Sequence, residues 1–171
     1  MTPPRTLLLA ALGAAVVLAA SAASRPPSPA AATKAAIARG RYLVVYGNCN
    51  DCHTPGWRES DGAVPDARWL IGTPVGFRGS WGTSYPTNVR LDFAAMSVDR
   101  WLMAVRTRAG HPPMDWADLR ALSVTDQRAI YTFVRSLGPA GVPAPDALPP
   151  WRDPAPPFID MRAGPAPSAS P

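Results

Sequence analysis

The stretch CNDCH, residues 49–53, holds three of the four cysteine and histidine side chains in this 171-residue chain. Two cysteines separated by two residues occur in thiol–disulfide motifs, in zinc sites and, with a following histidine, at sites of covalent haem attachment. A thioredoxin-like motif needs a strand–helix context, which the flanking sequence does not provide. Structural zinc needs four ligands, and the chain has too few cysteines and histidines near one another. The stretch therefore matches the C-x-x-C-H signature of haem attachment.

The spacing of this motif follows from the chemistry of haem c. Cys49 and Cys52 would each add to one vinyl group, and because the vinyls lie on one edge of the porphyrin, the two sulfurs must be close together. His53, the next residue, is then placed at the iron as an axial ligand. The sequence therefore predicts one covalent haem c, with thioether bonds from Cys49 and Cys52 and with His53 as the first iron ligand.

The second iron ligand is predicted to be Met114, with His111 as the alternative. Met114 follows Pro112 and Pro113, whose fixed φ angles predict an extended loop that could present a side chain to iron. The other methionines lie before a helix cap, inside a helix or in the tail: Met96, Met103 and Met161. A Met/His pair raises the reduction potential and leaves no open coordination position, which favours electron transfer.

The N-terminus has the three parts of a secretory signal peptide. Arg5 precedes the apolar run LLLAALGAAVVLAA, and the small residues SAAS follow it. This run is shorter than the ~20 apolar residues that usually span a bilayer. We therefore expect residues 1–23 to be cleaved on export to the periplasm, and we expect membrane attachment only if this segment is retained.

The periodicity of apolar residues predicts an all-α domain of three to four helices in residues 34–138, after a linker at residues 24–33. The predicted helices lie near residues 33–46, 97–109, 117–122 and 123–137. Gly40, inside the first helix, costs about 1 kcal/mol against alanine, which the close approach of another helix would explain. Residues 54–95 show no lasting period but are rich in aromatic side chains, which a haem surface could bury.

Residues 139–171 form a proline-rich tail, since eleven of the 22 prolines lie there. We expect this tail to run extended over the surface, with Trp151 and Phe158 as its anchors. The formal net charge is +5, but the basic residues are scattered rather than clustered. This distribution predicts no nucleic-acid binding.

Together these motifs resemble those of the class I c-type cytochromes, and most closely the small exported bacterial monohaem members. The stretches that carry the resemblance are GNCNDCHTPGW, WGTSYPTN, HPPMDW and AIYTFVRSLGPAG. The order also matches: first helix, CNDCH, long haem-wrapping loop, methionine-bearing loop and last helix. The resemblance extends from Lys34 to the early 140s and implies a class I cytochrome c fold around one haem. It departs at HPPMDW, where His111 and Asp115 stand at an arginine-like and a proline-like position.

The resemblance also implies roles for individual residues. Gly40 would let the first helix cross the last one against Phe133. Polar side chains of the haem-wrapping loop would bind the haem propionates, and the candidates are Trp81, Tyr85, Asn88 and Arg90.

The function expected from these residues is electron transfer rather than enzymatic catalysis. An exported monohaem cytochrome would carry single electrons between periplasmic redox proteins, such as a dehydrogenase or a terminal oxidase. One alternative is a cytochrome subunit that stays bound to a periplasmic dehydrogenase. A further alternative is a haem-based ligand sensor, which would need an open coordination position.

Overall fold

The structure, a computed structural model, describes residues 28–110 and 112–162. This part of the chain is mainly helical, as predicted. Its helices are α1 (Pro29–Tyr46), α2 (Cys49–His53), α3 (Val89–Ala94), α4 (Val98–Thr107), α5 (Trp116–Ala121) and α6 (Val124–Leu137). It also has three short strands that the all-α prediction did not include: β1 (Gly76–Gly79), β2 (Gly82–Ser84) and β3 (Phe158–Asp160). The predicted signal peptide, residues 1–23, lies outside the described residues.

The chain divides into two units between Thr33 and Lys34. Of the first unit the structure describes residues 28–33. All of them were predicted to be linker, but residues 29–33 belong to α1. The Ser28 hydroxyl caps this end of α1 and accepts a hydrogen bond from the Ala31 N–H at 3.2 Å. Proline suits the first helical position, because an N–H there would have no partner within the helix. Pro29 therefore starts α1 four residues before the predicted position.

Helices α1 and α6 touch at Gly40. A Cβ atom added at Gly40 would overlap the carbonyl oxygen of Ala129 and would come within 2.6 Å of the Phe133 Cβ. Gly40 and Phe133 are both buried. The predicted crossing of the first helix over the last one, against Phe133, is therefore confirmed, and it explains why α1 contains a glycine.

The apolar faces of α4 and α6 form much of the core, as their periodicity predicts. Ser97 and Ser123 cap the two helices by accepting hydrogen bonds from N–H groups of their first turns. The irregular segment contributes buried residues as well, including Trp69, whose ring lies edge-on to that of Phe133 at 6.2 Å. The core consists of Leu43, Val44, Val64, Trp69, Leu70, Phe93, Trp101, Leu102, Val105, Ile130, Phe133 and Val134.

The three strands form one small sheet in the order β2-β1-β3. β1 pairs antiparallel with β2 and parallel with β3, so the sheet joins the irregular segment to the proline-rich tail. Phe158 lies in β3, but Trp151 is 86% exposed and is not an anchor of the tail. The tail is held mainly by main-chain hydrogen bonds.

Helix α3 was also missed, although its N-cap is visible in the sequence. The Asn88 side chain accepts a hydrogen bond from the Leu91 N–H at 3.1 Å, as asparagine at an N-cap usually does. No helix among the described residues is both long enough and apolar enough to serve as a membrane span.

Candidate haem site

The motif CNDCH forms the one-turn helix α2, directly after α1. Asn48 links the two helices in a left-handed conformation, with φ 53°, which agrees with the predicted end of the first helix. Residues three apart in a helix lie on the same side, so α2 holds Cys49 and Cys52 next to each other. Both cysteines are free and partly buried. α2 therefore presents two unpaired thiols and an imidazole within one turn.

The two thiols are held in the protonated form. Burial raises the pKa of Cys49 to about 11. Burial also raises the pKa of Cys52, although the nearby charge of Arg58 opposes this shift. Because the thiolate is the nucleophile in thiol–disulfide exchange, neither side chain has the low pKa of a redox-active cysteine. This electrostatic environment disfavours the thiol–disulfide interpretation of the motif.

The tautomer of His53 follows from one hydrogen bond. Its Nδ1 lies 2.8 Å from the main-chain oxygen of Thr87. A carbonyl oxygen can only accept, so Nδ1 carries the proton and Nε2 has a free lone pair. Burial lowers the pKa of His53, with the Thr87 carbonyl acting in the opposite direction. His53 is therefore a neutral imidazole whose orientation is fixed and whose Nε2 can bind a metal.

A buried polar network holds α2 against the irregular segment, and sequence reasoning missed it. The Thr54 hydroxyl donates to the Asn50 side-chain oxygen at 2.7 Å and accepts from the Leu70 N–H at 2.8 Å. The Gly72 N–H donates to the His53 carbonyl at 2.8 Å. Asn50 and Thr54 are both almost fully buried. Their spacing of four residues, with one inside the motif and one just after it, was the available signal.

Among the predicted propionate-binding residues, Trp81 has a polar atom that needs a partner. Its indole Nε1 is buried and has no hydrogen-bond acceptor among the described residues. A buried indole N–H normally has such a partner, so this atom fits a bound group that brings its own acceptor. Tyr85 is half-buried, and its ring lies beside Gly76 in β1. Trp81 and Tyr85 therefore both belong to the segment that forms the small sheet.

Asn88 and Arg90 direct their donors to main-chain carbonyls. The Asn88 amide donates to Ala140 and Val142, at 2.8 and 3.0 Å. The buried Arg90 guanidinium donates to three carbonyls, those of Ala67, Leu137 and Gly138. Burial lowers the pKa of Arg90, and these carbonyls compensate for the loss of water. Asn88 thus attaches the start of the tail to the domain, and Arg90 binds the end of α6. Of the predicted set, only Trp81 keeps a buried donor without a partner among the described residues.

Met114 lies in the loop between α4 and α5. Its side chain is 39% exposed, and the preceding Pro112 and Pro113 form a turn rather than the predicted extended run. The Ser84 hydroxyl of β2 donates to the Pro112 carbonyl at 2.6 Å, which ties this loop to the sheet. His111 lies outside the described residues, so the choice between Met114 and His111 stays a prediction.

The other methionines lie elsewhere in the fold. Met96 packs on the core, and its carbonyl accepts a hydrogen bond from the Tyr131 hydroxyl at 2.8 Å. Met103 and Met161 are exposed, on α4 and after β3. Within residues 28–110 and 112–162, no group of three or more His, Cys, Asp or Glu side chains could hold a metal ion. Haem iron does not need three such side chains, because its porphyrin supplies four nitrogens and the protein adds only axial ligands.

No protein-family model, curated protein or solved structure matches the chain.

Proposed function

We propose that this chain is an exported monohaem c-type cytochrome with a class I cytochrome c fold. In this proposal it carries single electrons between periplasmic redox partners and performs no enzymatic reaction of its own. The observation that carries the proposal is the hydrogen bond from the Nδ1 of His53, which lies in the CNDCH helix, to the main-chain oxygen of Thr87 at 2.8 Å. It leaves Nε2 free on a neutral imidazole, directly beside two unpaired, protonated thiols.

The residues of the site fit haem c. Cys49 and Cys52 would hold the porphyrin through two thioether bonds, and His53 Nε2 would bind the iron. Met114 is the proposed second axial ligand, with His111 as its alternative. When bound, haem c supplies an iron that alternates between the ferric and ferrous states. Thr87 would keep the imidazole oriented towards it.

The buried indole N–H of Trp81 supports the proposal independently of CNDCH. This donor lacks a partner among the described residues, and a haem propionate would provide a charged acceptor. Tyr85, from the same segment, is the second candidate for such a contact. The crossing of α1 and α6 at Gly40 supports the fold assignment, because the resemblance to class I cytochromes implies that crossing.

A redox titration followed by absorption, combined with intact-mass measurement, tests this function. The full chain should be produced in a periplasm that attaches haem c. We expect a mass increase of one haem, loss of residues 1–23, and a low-spin spectrum that changes reversibly in a one-electron step. Cys49→Ala together with Cys52→Ala should abolish covalent attachment. A wild-type chain that leaves such a host without covalent haem would refute the proposal.

A cytochrome subunit of a periplasmic dehydrogenase is the second candidate function. The observation that favours it is the exposure of Trp151 in the tail, at 86%. Large aromatic side chains are enriched at protein interfaces. Purification from the native host separates the two candidates, since a subunit would co-elute with the dehydrogenase and a carrier would elute as a monomer. A haem-based sensor is a third possibility, and rapid CO binding to the reduced protein at neutral pH would favour it.

A further inference from the structure

The proline-rich tail is attached to the domain along most of its described length. Its main chain forms a two-way bridge between Leu148 and Thr83, with N···O distances of 2.8 and 2.9 Å. Further on, the Pro157 carbonyl accepts from Gly76 at 3.1 Å, and the Met161 N–H donates to Arg78 at 2.8 Å. These bonds lie on both sides of β3, so the position of this strand against β1 is well defined.

An ion pair adds to this attachment. The Arg78 guanidinium in β1 contacts the Asp153 carboxylate of the tail, and the Arg78 side chain is largely buried. A mostly buried arginine is held more firmly than an exposed one, because less of its charge is screened by water. The tail is therefore a part of the domain surface rather than a loose extension.

The register of the sheet brings one tail side chain to the candidate haem site. Ile159 pairs with Phe77, and both line a cavity of about 210 Å³ whose wall also includes Cys52. Successive side chains of a strand point to opposite faces. The neighbours of Ile159 in β3, Phe158 and Asp160, do not line this cavity.

The rest of the cavity wall combines the end of α2 with the segment before β1. Its further apolar members are Pro55, Pro74 and Val75, and its charged members are Asp51, Arg58 and Glu59. Of the CNDCH motif, Asp51 and Cys52 line this cavity and Cys49 and His53 do not, so the haem edge that it could border is the one at Cys52.

We propose that β3 is a wall of the haem site and that Ile159 limits the access of water to the haem edge at Cys52. This inference rests on the proposed function. Ile159 is 50% exposed, so one side of it faces solvent while the other lines the cavity. It would act as a positioning and shielding residue, not as an iron ligand.

The physical effect of such shielding is on the reduction potential. Ferric haem carries one more positive charge than ferrous haem, and an apolar, water-poor environment disfavours the more highly charged form. The apolar shell around a metal site therefore raises its reduction potential by excluding solvent. A smaller residue at position 159 should lower the potential, and a larger one should raise it.

The test compares full-length holoprotein variants by redox titration. Ile159→Ala should lower the midpoint potential and Ile159→Phe should raise it. Phe158→Ala is the matched control, because it removes a similar exposed apolar side chain from the same strand without touching the cavity, and it should leave the potential unchanged. Equal potentials for wild type and both Ile159 variants would overturn the proposal, as would a shift in Phe158→Ala of the same size.

Hydrogen exchange separates a failure of this inference from a failure of the proposed function. The amides of Gly76 and Met161, which bond across β1 and the tail, should exchange slowly in the full chain. A chain that carries no haem refutes the proposed function; slow exchange at these amides would then still support the pairing of β3 with β1, which places Ile159 in the cavity wall beside Cys52. Fast exchange at both amides overturns the wall in either case.

Discussion

At the scale of single residues, the chemistry of the site depends on how a few polar atoms are paired. One carbonyl oxygen fixes the tautomer of His53, and burial raises the pKa of both thiols. Met114 differs from these residues, because no contact of its sulfur defines a role. Its proposed role is therefore best examined by substitution.

The first prediction concerns Met114. In Met114→Ala we expect the loss of the sulfur-to-iron charge-transfer band of the ferric protein, a lower reduction potential and rapid CO binding to the reduced form, because one coordination position opens. Absorption spectroscopy and redox titration measure all three. The control is Met103→Ala, which removes an exposed methionine from α4. An unchanged charge-transfer band in Met114→Ala would overturn the assignment, because the sulfur ligand would then belong to another methionine. A ferric wild-type protein without this band would transfer the assignment to His111, and His111→Ala would then abolish the six-coordinate spectrum.

At the scale of elements, α1 and α6 are held together by two neighbouring contacts of different kinds. Gly40 allows the two backbones to approach, and a salt bridge between Arg39 and Asp126, at 2.7 Å, lies beside it. The first contact is steric and buried, whereas the second is electrostatic and exposed. Each can be removed by one substitution.

The second prediction is that Gly40→Ala destabilises the domain. Helix propensity alone would favour alanine by about 1 kcal/mol. The added Cβ would overlap the Ala129 carbonyl, and overpacking of this kind costs about 1–3 kcal/mol or more, so the net effect should be destabilising. Denaturant unfolding measures the difference. Ala38→Ser, on an exposed position of the same helix, should change stability by less than about 0.5 kcal/mol. A more stable Gly40→Ala variant would contradict the close crossing.

The third prediction concerns pH. The hydrogen bond from Arg39 lowers the pKa of Asp126 below its usual value of 3.8, and Ser123 adds to this effect. A carboxylate with a depressed folded-state pKa stabilises the fold above its unfolded pKa, and this stabilisation is lost as the pH falls through the folded value. We therefore expect Asp126→Asn to have a lower Tm than wild type at neutral pH, and the difference should close in acid.

Thermal unfolding between neutral pH and about pH 2 measures this effect. The matched control is Asp99→Asn, since Asp99 contacts Arg128 only at 3.7 Å and is highly exposed. It should lower the Tm less at neutral pH. A Tm difference for Asp126→Asn that stays constant down to pH 2 would contradict the role assigned to the ion pair.

At the scale of the whole molecule, Arg90 connects distant parts of the chain. Its guanidinium donates to two carbonyls at the end of α6, those of Leu137 and Gly138, and to the Ala67 carbonyl of the irregular segment. Removing the side chain would leave these carbonyls without their partners. We therefore expect the free energy of unfolding to fall when the Arg90 side chain is removed.

The fourth prediction is that Arg90→Ala destabilises the domain by about 2–4 kcal/mol, because several charge-assisted hydrogen bonds are lost in a buried position. Arg90→Lys should retain part of this stability, since an ammonium can replace some but not all of the planar guanidinium's bonds. Denaturant unfolding measures both. Arg100→Ala, at an exposed position of α4, is the control and should be nearly neutral. Equal stabilities of Arg90→Ala and Arg100→Ala would contradict this role.

The sequence by itself determined the local features of this protein. The longer helices were predicted from apolar side chains that recur every three to four residues, and the candidate site was predicted from the spacing within CNDCH, because both patterns are contained in short stretches. Gly40 indicated a close crossing of two helices, because a glycine that destabilises its own helix is expected where a larger side chain would not fit.

Only the tertiary structure decided what depends on contacts between distant residues. The carbonyl that orients His53 belongs to Thr87, and β3 pairs with β1 although some eighty residues separate Phe77 from Ile159. Every non-proline residue carries the same main-chain N–H and C=O groups, so the sequence does not indicate which of them will pair. Side-chain patterns therefore predicted most of the helices and the motif, and main-chain pairing in the folded chain decided the position of β3 against β1 and the orientation of the imidazole.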